Sequence, residues 1–162
     1  HKDQVYGLAC SLLRDKVTAE DVTQDVFITL WEHRDEVDDD RALPWLMRVT
    51  RNACIDRLRR RQTRRKTMTV DTDGVSRAES GRRLPDAHTE ISDFEDHLDA
   101  ALDRIDDPYR SVLVLRELQE LKYREIADAL DMPLNTVKVY IHRGRKKLRA
   151  RLADRLDAVP AS

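Results

Sequence analysis

The C-terminal part of the chain contains a predicted helix, from about Leu134 to Leu156, whose two faces differ sharply. At about 100° per residue, the apolar face holds Val137, Ile141, Gly144 and Leu148, with Tyr140 at its edge. The opposite face carries six residues that suit contact with a nucleic acid, namely Asn135, Lys138, Val139, His142, Arg143 and Lys146. Lysine, arginine, asparagine and histidine donate to phosphates and base edges, and a valine can contact the methyl group of thymine. This face is a candidate for recognition of duplex DNA.

The segment before this helix strengthens that interpretation. The run REIADAL is itself helical in pattern, and a short link at Asp131, Met132 and Pro133 separates it from the basic helix. Two helices joined by a turn of three or four residues, the second of them basic, are typical of a helix-turn-helix. The alternative is an amphipathic bundle helix with a solvated basic face, which the preceding helix and turn make less favoured.

A second basic helix is predicted from Pro44 to about Arg61, with proline in its first turn, where a missing N–H costs nothing. Its inward face holds Leu46, Val49, Ala53 and Cys54. The polar face and the start of the helix carry Trp45, Arg48, Arg51, Asn52, Ile55 and Arg59. A tryptophan beside a polar loop can stack on an unpaired base. The pattern alone also permits solvent-facing arginines and a tryptophan in the core.

Charge is segregated along the chain even though the formal net charge is only −1. Residues 15–40 contain ten acids and two bases, and residues 48–66 contain nine bases and one acid. The alternation repeats, with nine acids and one base in 86–107 and eight bases and one acid in 138–155. Two acid-then-base blocks predict two modules, each with one cationic face that attracts phosphates. The overall neutrality argues against a non-specific polycation.

The N-terminal module is helical in period. Its first stripe consists of Val5, Leu8, Ala9, Leu12 and Leu13. A second helix is expected to begin near Thr18, which with Asp21 resembles a capping box. One face of that helix holds Ala19, Val22, Val26, Leu30 and His33, and the other holds Gln24, Phe27, Ile28 and Trp31. Such a helix is either sandwiched within its own domain or offers one face to a partner.

Three segments are therefore predicted, in an all-α fold with a C-terminal helix-turn-helix. Residues 1–66 form one helical domain, residues 67–92 form a flexible linker rich in Thr, Ser and Asp, and residues 93–162 form the second domain. The second domain opens on the stripe Phe94, Leu98, Ala101, Leu102 and Ile105. Asp107 and Pro108 then predict a cap followed by a proline at the first helical position.

Composition excludes several classes of protein. The longest uninterrupted apolar run, Val112 to Leu115, is far short of the roughly 20 residues that a membrane-spanning helix needs. Cys10 and Cys54 lack metal-ligand neighbours at zinc spacing and fit a reducing cytosol as small core residues. The sequence contains no Gly-rich phosphate loop and no interpretable nucleophile–base pair. We therefore expect no catalytic residue, metal, cofactor or small-molecule substrate.

Two long runs resemble a known family. TAEDVTQDVFITLWEHRDEV, followed by LPWLMRVTRNACIDRLRRR, resembles region 2 of the extracytoplasmic-function (ECF) bacterial sigma factors. DDPYRSVLVLRELQELKYREIADALDMPLNTVKVYIHRGRKKLR resembles their region 4. Both runs in this order, without a domain between them, are specific to that family. In the turn of the second run, Asp131 stands where the family often has glycine, and aspartate tolerates the left-handed backbone conformation better than most residues.

The resemblance implies a dissociable subunit that gives RNA polymerase its promoter specificity. The helix matching 18–34 would dock on the clamp helices of the polymerase β′ subunit through Asp21, Gln24, Asp25 and Ile28. The segment matching 38–59 would recognise and open the −10 element through Trp45, Arg48, Arg51, Asn52 and Arg59. The basic C-terminal helix would recognise the −35 element, and the family also contacts the β flap of the polymerase.

The resemblance further implies a cognate anti-sigma factor, often held at the membrane, that covers the polymerase-binding surfaces. It implies a cytoplasmic protein that associates with the nucleoid when active, without inserting in the membrane itself. The linker would thread the polymerase channels. The alternative function is a stand-alone helix-turn-helix regulator that binds duplex operator DNA, which has no use for the helix WLMRVTRNACIDRLRRR behind a docking helix.

Overall fold

The computed structural model describes residues 1–68 and 90–157, with side chains over 1–67 and 94–154. In those residues all regular secondary structure is helical, which confirms the all-α prediction. The chain divides into two compact units, His1–Arg83 and Leu84–Ser162. The predicted flexible linker falls mainly on 69–89, outside the described residues.

The first unit contains three helices, α1 (Lys2–Leu13), α2 (Lys16–Glu32) and α3 (Ala42–Met68), with a 3₁₀ turn (Asp39–Arg41) before the third. Each helix packs against the other two. The predicted stripe of α1 is buried in full. It meets a core contributed by α2 and α3, whose buried apolar residues are Ala19, Val22, Val26, Leu46, Met47 and Cys54. The 3.6-residue period located most of this core, but in α3 it was partly wrong: Val49 and Ala53 are only half-buried, and Met47, which was not predicted, is fully buried.

The predicted start of α2 near Thr18 is wrong. The helix begins at Lys16, and its N-cap is Asp15, whose carboxylate accepts a hydrogen bond from the backbone N–H of Val17 at 3.2 Å. The Thr18 hydroxyl donates to the same carboxylate. An aspartate can satisfy an orphan N–H at a helix start as well as a threonine can, so the earlier residue takes the cap.

Two further boundaries differ from the sequence prediction. The helix α3 continues to Met68 rather than ending near Arg61, because arginine and lysine favour helix and no breaker intervenes. At the end of α2, His33 is an exposed C-cap and Leu30 is only half-buried, since the helix stops at Glu32. The predicted inward face of α2 therefore ends at Val26.

The second unit contains α4 (Glu90–Leu102), α5 (Tyr109–Leu113), α6 (Tyr123–Leu130) and α7 (Leu134–Asp157). A π-helical turn, Val114–Leu118, continues α5 and was not foreseen from the sequence. In the predicted α4 stripe, Ala101, Leu102 and Ile105 are buried, but Phe94 is 60% exposed. At the start of α5, Pro108 is the cap itself rather than the first helical residue, and the Asp107 carboxylate accepts from the backbone N–H of Ser111 at 3.2 Å.

The turn between α6 and α7 has the predicted conformation. Asp131 adopts the left-handed region, with φ 51° and ψ 52°. Its position lets the backbone N–H of Met132 donate to the carbonyl of Ala127 at 2.9 Å. Two helices thus meet through a three-residue link, which is the helix-turn-helix expected from the sequence. Among the described helices, none combines the length and hydropathy that crossing a bilayer would require.

Close packing in this unit depends on a glycine in the middle of α7. A Cβ added at Gly144 would lie 3.1–3.3 Å from the side-chain carbons of Leu113, which is almost fully buried. We predict that Gly144→Leu lowers the free energy of unfolding by roughly 1–3 kcal/mol, since overpacking outweighs the gain in helix propensity. Ala150→Leu, at an exposed site on the same helix, should change it by less than about 0.5 kcal/mol. Urea unfolding of both variants tests this, and equal stability would contradict it.

Candidate nucleic-acid and docking surfaces

The first surface is the outward face of α7, which we call the DNA face. All six of its predicted members are exposed in the structure: Asn135, Lys138, Val139, His142, Arg143 and Lys146. Behind them Val137 and Ile141 are 0% and 2% exposed, so the helix is held from its apolar side. Val139 keeps 43% of its surface in solvent, so its methyl groups are accessible on this face.

Side chains at the rim and rear of α7 fix the helix on its unit. Both the Nε and the Nη2 of Arg145 lie within hydrogen-bonding distance of Oε1 of Glu117, at 2.8 and 2.7 Å. This contact raises the pKa of Arg145. On the other side, the rings of Tyr109 and Tyr140 have centroids 5.1 Å apart, and the Lys147 ammonium lies 5.2 Å from the centroid of Tyr109. These anchors join residues far apart in sequence, and no local pattern indicated them.

The second surface is the outward face of α3. Arg48, Asn52 and Arg59 are exposed, and Arg51 is half-buried. Trp45 is also half-buried, with its ring centroid 6.3 Å from that of His33. Trp45 is thus neither fully buried in the core nor fully exposed. The arginine-rich continuation of this helix, residues 59–67, is exposed throughout.

The third surface is the stripe of α2 opposite its buried residues, which we call the α2 stripe. Its members are Val17, Asp21, Gln24, Ile28 and Trp31. Val17 and Trp31 are each 69% exposed and Ile28 is 58% exposed, a large apolar area for one short helix. Of the two possibilities left open by the sequence, the structure excludes a helix sandwiched within its own unit. Exposed apolar patches are typical of interaction surfaces.

Two of the acids predicted to dock on a partner are already paired within the chain. Arg57 of α3 reaches Asp25 at 2.7 Å and Asp21 at 3.9 Å. One helical turn further along, Arg61 donates to Asp15 and to the hydroxyl of Thr18, both at 2.7 Å. Hydrogen bonds from Thr18 and Arg61 lower the pKa of Asp15. The basic block of α3 is therefore divided, since Arg57 and Arg61 bind acids of the α2 segment while Arg48 and Arg59 are exposed on the outward face.

Two observations on the described residues concern metal ligands and the thiol of Cys54. No group of three or more His, Cys, Asp or Glu side chains there is arranged to hold a metal ion. Cys54 is fully buried, and burial raises the pKa of its thiol to about 12, so the nucleophilic thiolate is not formed at neutral pH.

Family models match both units of the chain. Sigma-70 region 2 matches residues 1–64, which contain the α2 stripe and the outward face of α3 up to Arg59. Sigma-70 region 4 matches residues 96–148, which contain the helix-turn-helix and the whole DNA face.

Curated relatives match over nearly the full chain. ECF RNA polymerase sigma factor SigW of Bacillus subtilis is 32% identical over 160 residues, covering 95% of this chain and 86% of the relative. ECF RNA polymerase sigma factor SigE of Mycolicibacterium smegmatis is 35% identical over 154 residues, covering 94% of this chain but 59% of the longer relative.

Solved structures share the fold. The sigma factor RpoE of Bartonella quintana, in complex with the anti-sigma factor NepR, has a TM-score of 0.70 at 21% identity, covering 94% of this chain and 91% of that one. CnrH, in complex with the cytosolic domain of CnrY, has a TM-score of 0.69 at 25% identity, covering 95% and 83%. With both sigma-70 regions matched in order and a close length match to SigW, the chain belongs to the family of ECF RNA polymerase sigma factors.

Proposed function

We propose that this chain binds core RNA polymerase and directs promoter-specific initiation of transcription. The observation that carries the proposal is the DNA face of α7, which stands exposed on a helix-turn-helix while Val137 and Ile141 hold the helix from behind. A helix that enters the major groove needs both features at once. Family membership explains why a second basic helix and a separate exposed apolar stripe accompany it.

In this proposal α7 recognises the −35 element. Lys138, His142 and Arg143 donate to base edges and phosphates, and Val139 contacts a thymine methyl. Asn135 and Lys146 extend the same face by one turn on either side. The tyrosine contact and the ion pair at the rim of the helix support its entry angle.

The outward face of α3 recognises and opens the −10 element. Each unstacked base costs a few kcal/mol, and capture of the extruded base must offset that cost. Trp45 offers a half-buried aromatic ring for stacking, and Asn52 offers donor and acceptor groups. Arg48, Arg51 and Arg59 contribute cations for the phosphate backbone. The domain assignment follows, with residues 1–66 acting at −10 and residues 93–162 acting at −35.

Docking on polymerase uses the α2 stripe. Gln24 and Ile28 lie exposed at its centre, and Asp21 and Asp25 flank them as the acidic part of the same surface. The partner surface is the pair of clamp helices of the β′ subunit, and the second unit contacts the β flap. The chain needs no catalytic residue or cofactor in this role, because the polymerase performs the chemistry and the chain acts as a regulatory DNA-binding subunit.

An anti-sigma factor is a further proposed partner. Of the solved structures described above, one is a sigma factor bound to an anti-sigma factor, and the other is CnrH bound to the cytosolic domain of CnrY. By analogy, a cognate protein covers the α2 stripe and keeps this chain from polymerase. The chain then acts in the cytoplasm, at the nucleoid when active or at the membrane when its partner is tethered there.

A run-off transcription assay with core polymerase and a genomic template library tests the function. We expect promoter-dependent transcripts only when both the chain and core polymerase are present, and weak binding of the chain alone to duplex DNA. A stand-alone regulator gives the opposite result, with tight operator binding by the chain alone and no transcript that depends on it. That result would overturn the proposal.

A further inference from the structure

One cation of α7, Arg145, forms an ion pair within its own unit. Arg145 lies seven residues after Lys138, so on a helix the two positions differ by only about 20°. Helical position alone places Arg145 at the rim of the DNA face. In the structure its guanidinium is instead bound to Glu117, with Nε and Nη2 both on Oε1 at 2.8 and 2.7 Å.

The partner of Arg145 sits on the irregular part of its unit. Glu117 belongs to the π-helical turn Val114–Leu118, where the extra residue per turn changes the direction of the side chains that follow. The neighbouring Arg116 is engaged elsewhere, donating to the carbonyl of Leu121 at 2.9 Å. The Glu117 and Arg145 side chains are 41% and 43% exposed, so solvent and any bound DNA reach the pair.

An unpaired carboxylate at this place would oppose DNA binding. Phosphates that approach the DNA face would meet the negative charge of Glu117 at its rim, and like charges in contact with an interface disfavour complex formation. Arg145 cancels that charge and ties the rim of α7 to the π turn in one contact. A free arginine would contact phosphate instead.

We propose that Arg145 is a positioning residue for −35 recognition, which acts by neutralising Glu117 and does not itself contact DNA. This inference rests on the proposed function. It separates Arg145 from Lys146, the adjacent residue of the DNA face, although both are cations on the same helix. Double-mutant analysis distinguishes the two roles, because residues that act through each other are not additive.

The experiment uses the full chain reconstituted with core polymerase on a promoter identified by the run-off assay. Initiation is measured for Arg145→Ala, Glu117→Ala and the double variant, and promoter affinity is measured as a function of salt. We expect Arg145→Ala to lower initiation roughly 5-fold, Glu117→Ala to change it less than about 2-fold, and the double variant to resemble Glu117→Ala. The slope of log affinity against log salt should stay unchanged in Arg145→Ala and in the double variant, because neither loses a phosphate contact. It should become steeper in Glu117→Ala, where the freed Arg145 can contact a phosphate.

Lys146→Ala is the matched control. It should reduce the magnitude of the salt slope by about 0.9, the value for one lost phosphate contact on duplex DNA, and Glu117→Ala should not rescue it. If Arg145→Ala reduces the slope by the same amount, or if Glu117→Ala fails to suppress its defect, Arg145 is a direct DNA contact and the inference is wrong. A wild-type chain without any promoter-dependent transcript would instead refute the proposed function.

Discussion

Replacing Lys138 and Arg143 together by alanine is expected to lower −35-dependent initiation by at least about 30-fold. Each specific contact to a base edge contributes about 1–3 kcal/mol, and the two side chains lie far enough apart to contact different bases. Both are exposed, so their removal leaves the core of the unit intact. Initiation from the promoter found in the run-off assay measures the loss, and association with core polymerase should be unchanged.

The control for this pair is Arg151→Ala. Arg151 also lies on α7 and is 46% exposed, but it points well away from the DNA face and lies 4.0 Å from Asp154. We expect less than a 2-fold change, within the roughly 0.5 kcal/mol typical of surface substitutions. A parallel loss of core binding in the Lys138 and Arg143 variant would contradict the assignment of the DNA face to promoter contacts alone.

Ile28→Asp should weaken association with core polymerase by roughly 30-fold or more. Ile28 is the centre of the α2 stripe and 58% exposed, so the substitution places a charge in the proposed interface without disturbing the helix packing. A buried interface residue of this kind contributes about 2 kcal/mol or more when it is a hot spot. Titration of core polymerase with labelled chain measures the affinity.

The control for that variant is Val139→Asp. It introduces the same charge at an exposed β-branched residue, but on the DNA face of the second unit. It should spare core affinity and abolish initiation that depends on the −35 element, since a carboxylate then faces DNA. The double variant Gln24→Ala with Asp25→Ala should weaken association with core polymerase, as Ile28→Asp does. Normal core affinity in Ile28→Asp would show that the α2 stripe is not the surface that binds core polymerase.

The α2 stripe and α7 show what helical periodicity can predict and what it cannot. The spacing of Val137, Ile141 and Gly144 correctly predicted which side of α7 is buried, because a helix with a regular apolar stripe buries that stripe. For α2 the same method gave two apolar faces and did not show which of them is buried. Only the packing of α1 and α3 against Val22 and Val26 shows that Ile28 and Trp31 are left in solvent.

Local rules failed where two residues compete for one role. Asp15 and Thr18 both suit an N-cap, and Asp15 prevails with Arg61, an α3 residue, bound to the same carboxylate. The π turn after Leu113 is similar, since nothing in VLREL breaks a regular helix. For Asp15 the contact with Arg61 comes from another helix, beyond the reach of a short sequence window.

The sequence by itself determined the helices, the buried side of most of them and the four charge blocks, because these depend on period and composition along a continuous segment. Tertiary structure alone decided which cations are free. Arg57 pairs with Asp25 and Arg145 pairs with Glu117, across separations of 32 and 28 residues. An ion pair requires two side chains within about 4 Å, and only the packing of whole helices brings such distant residues that close.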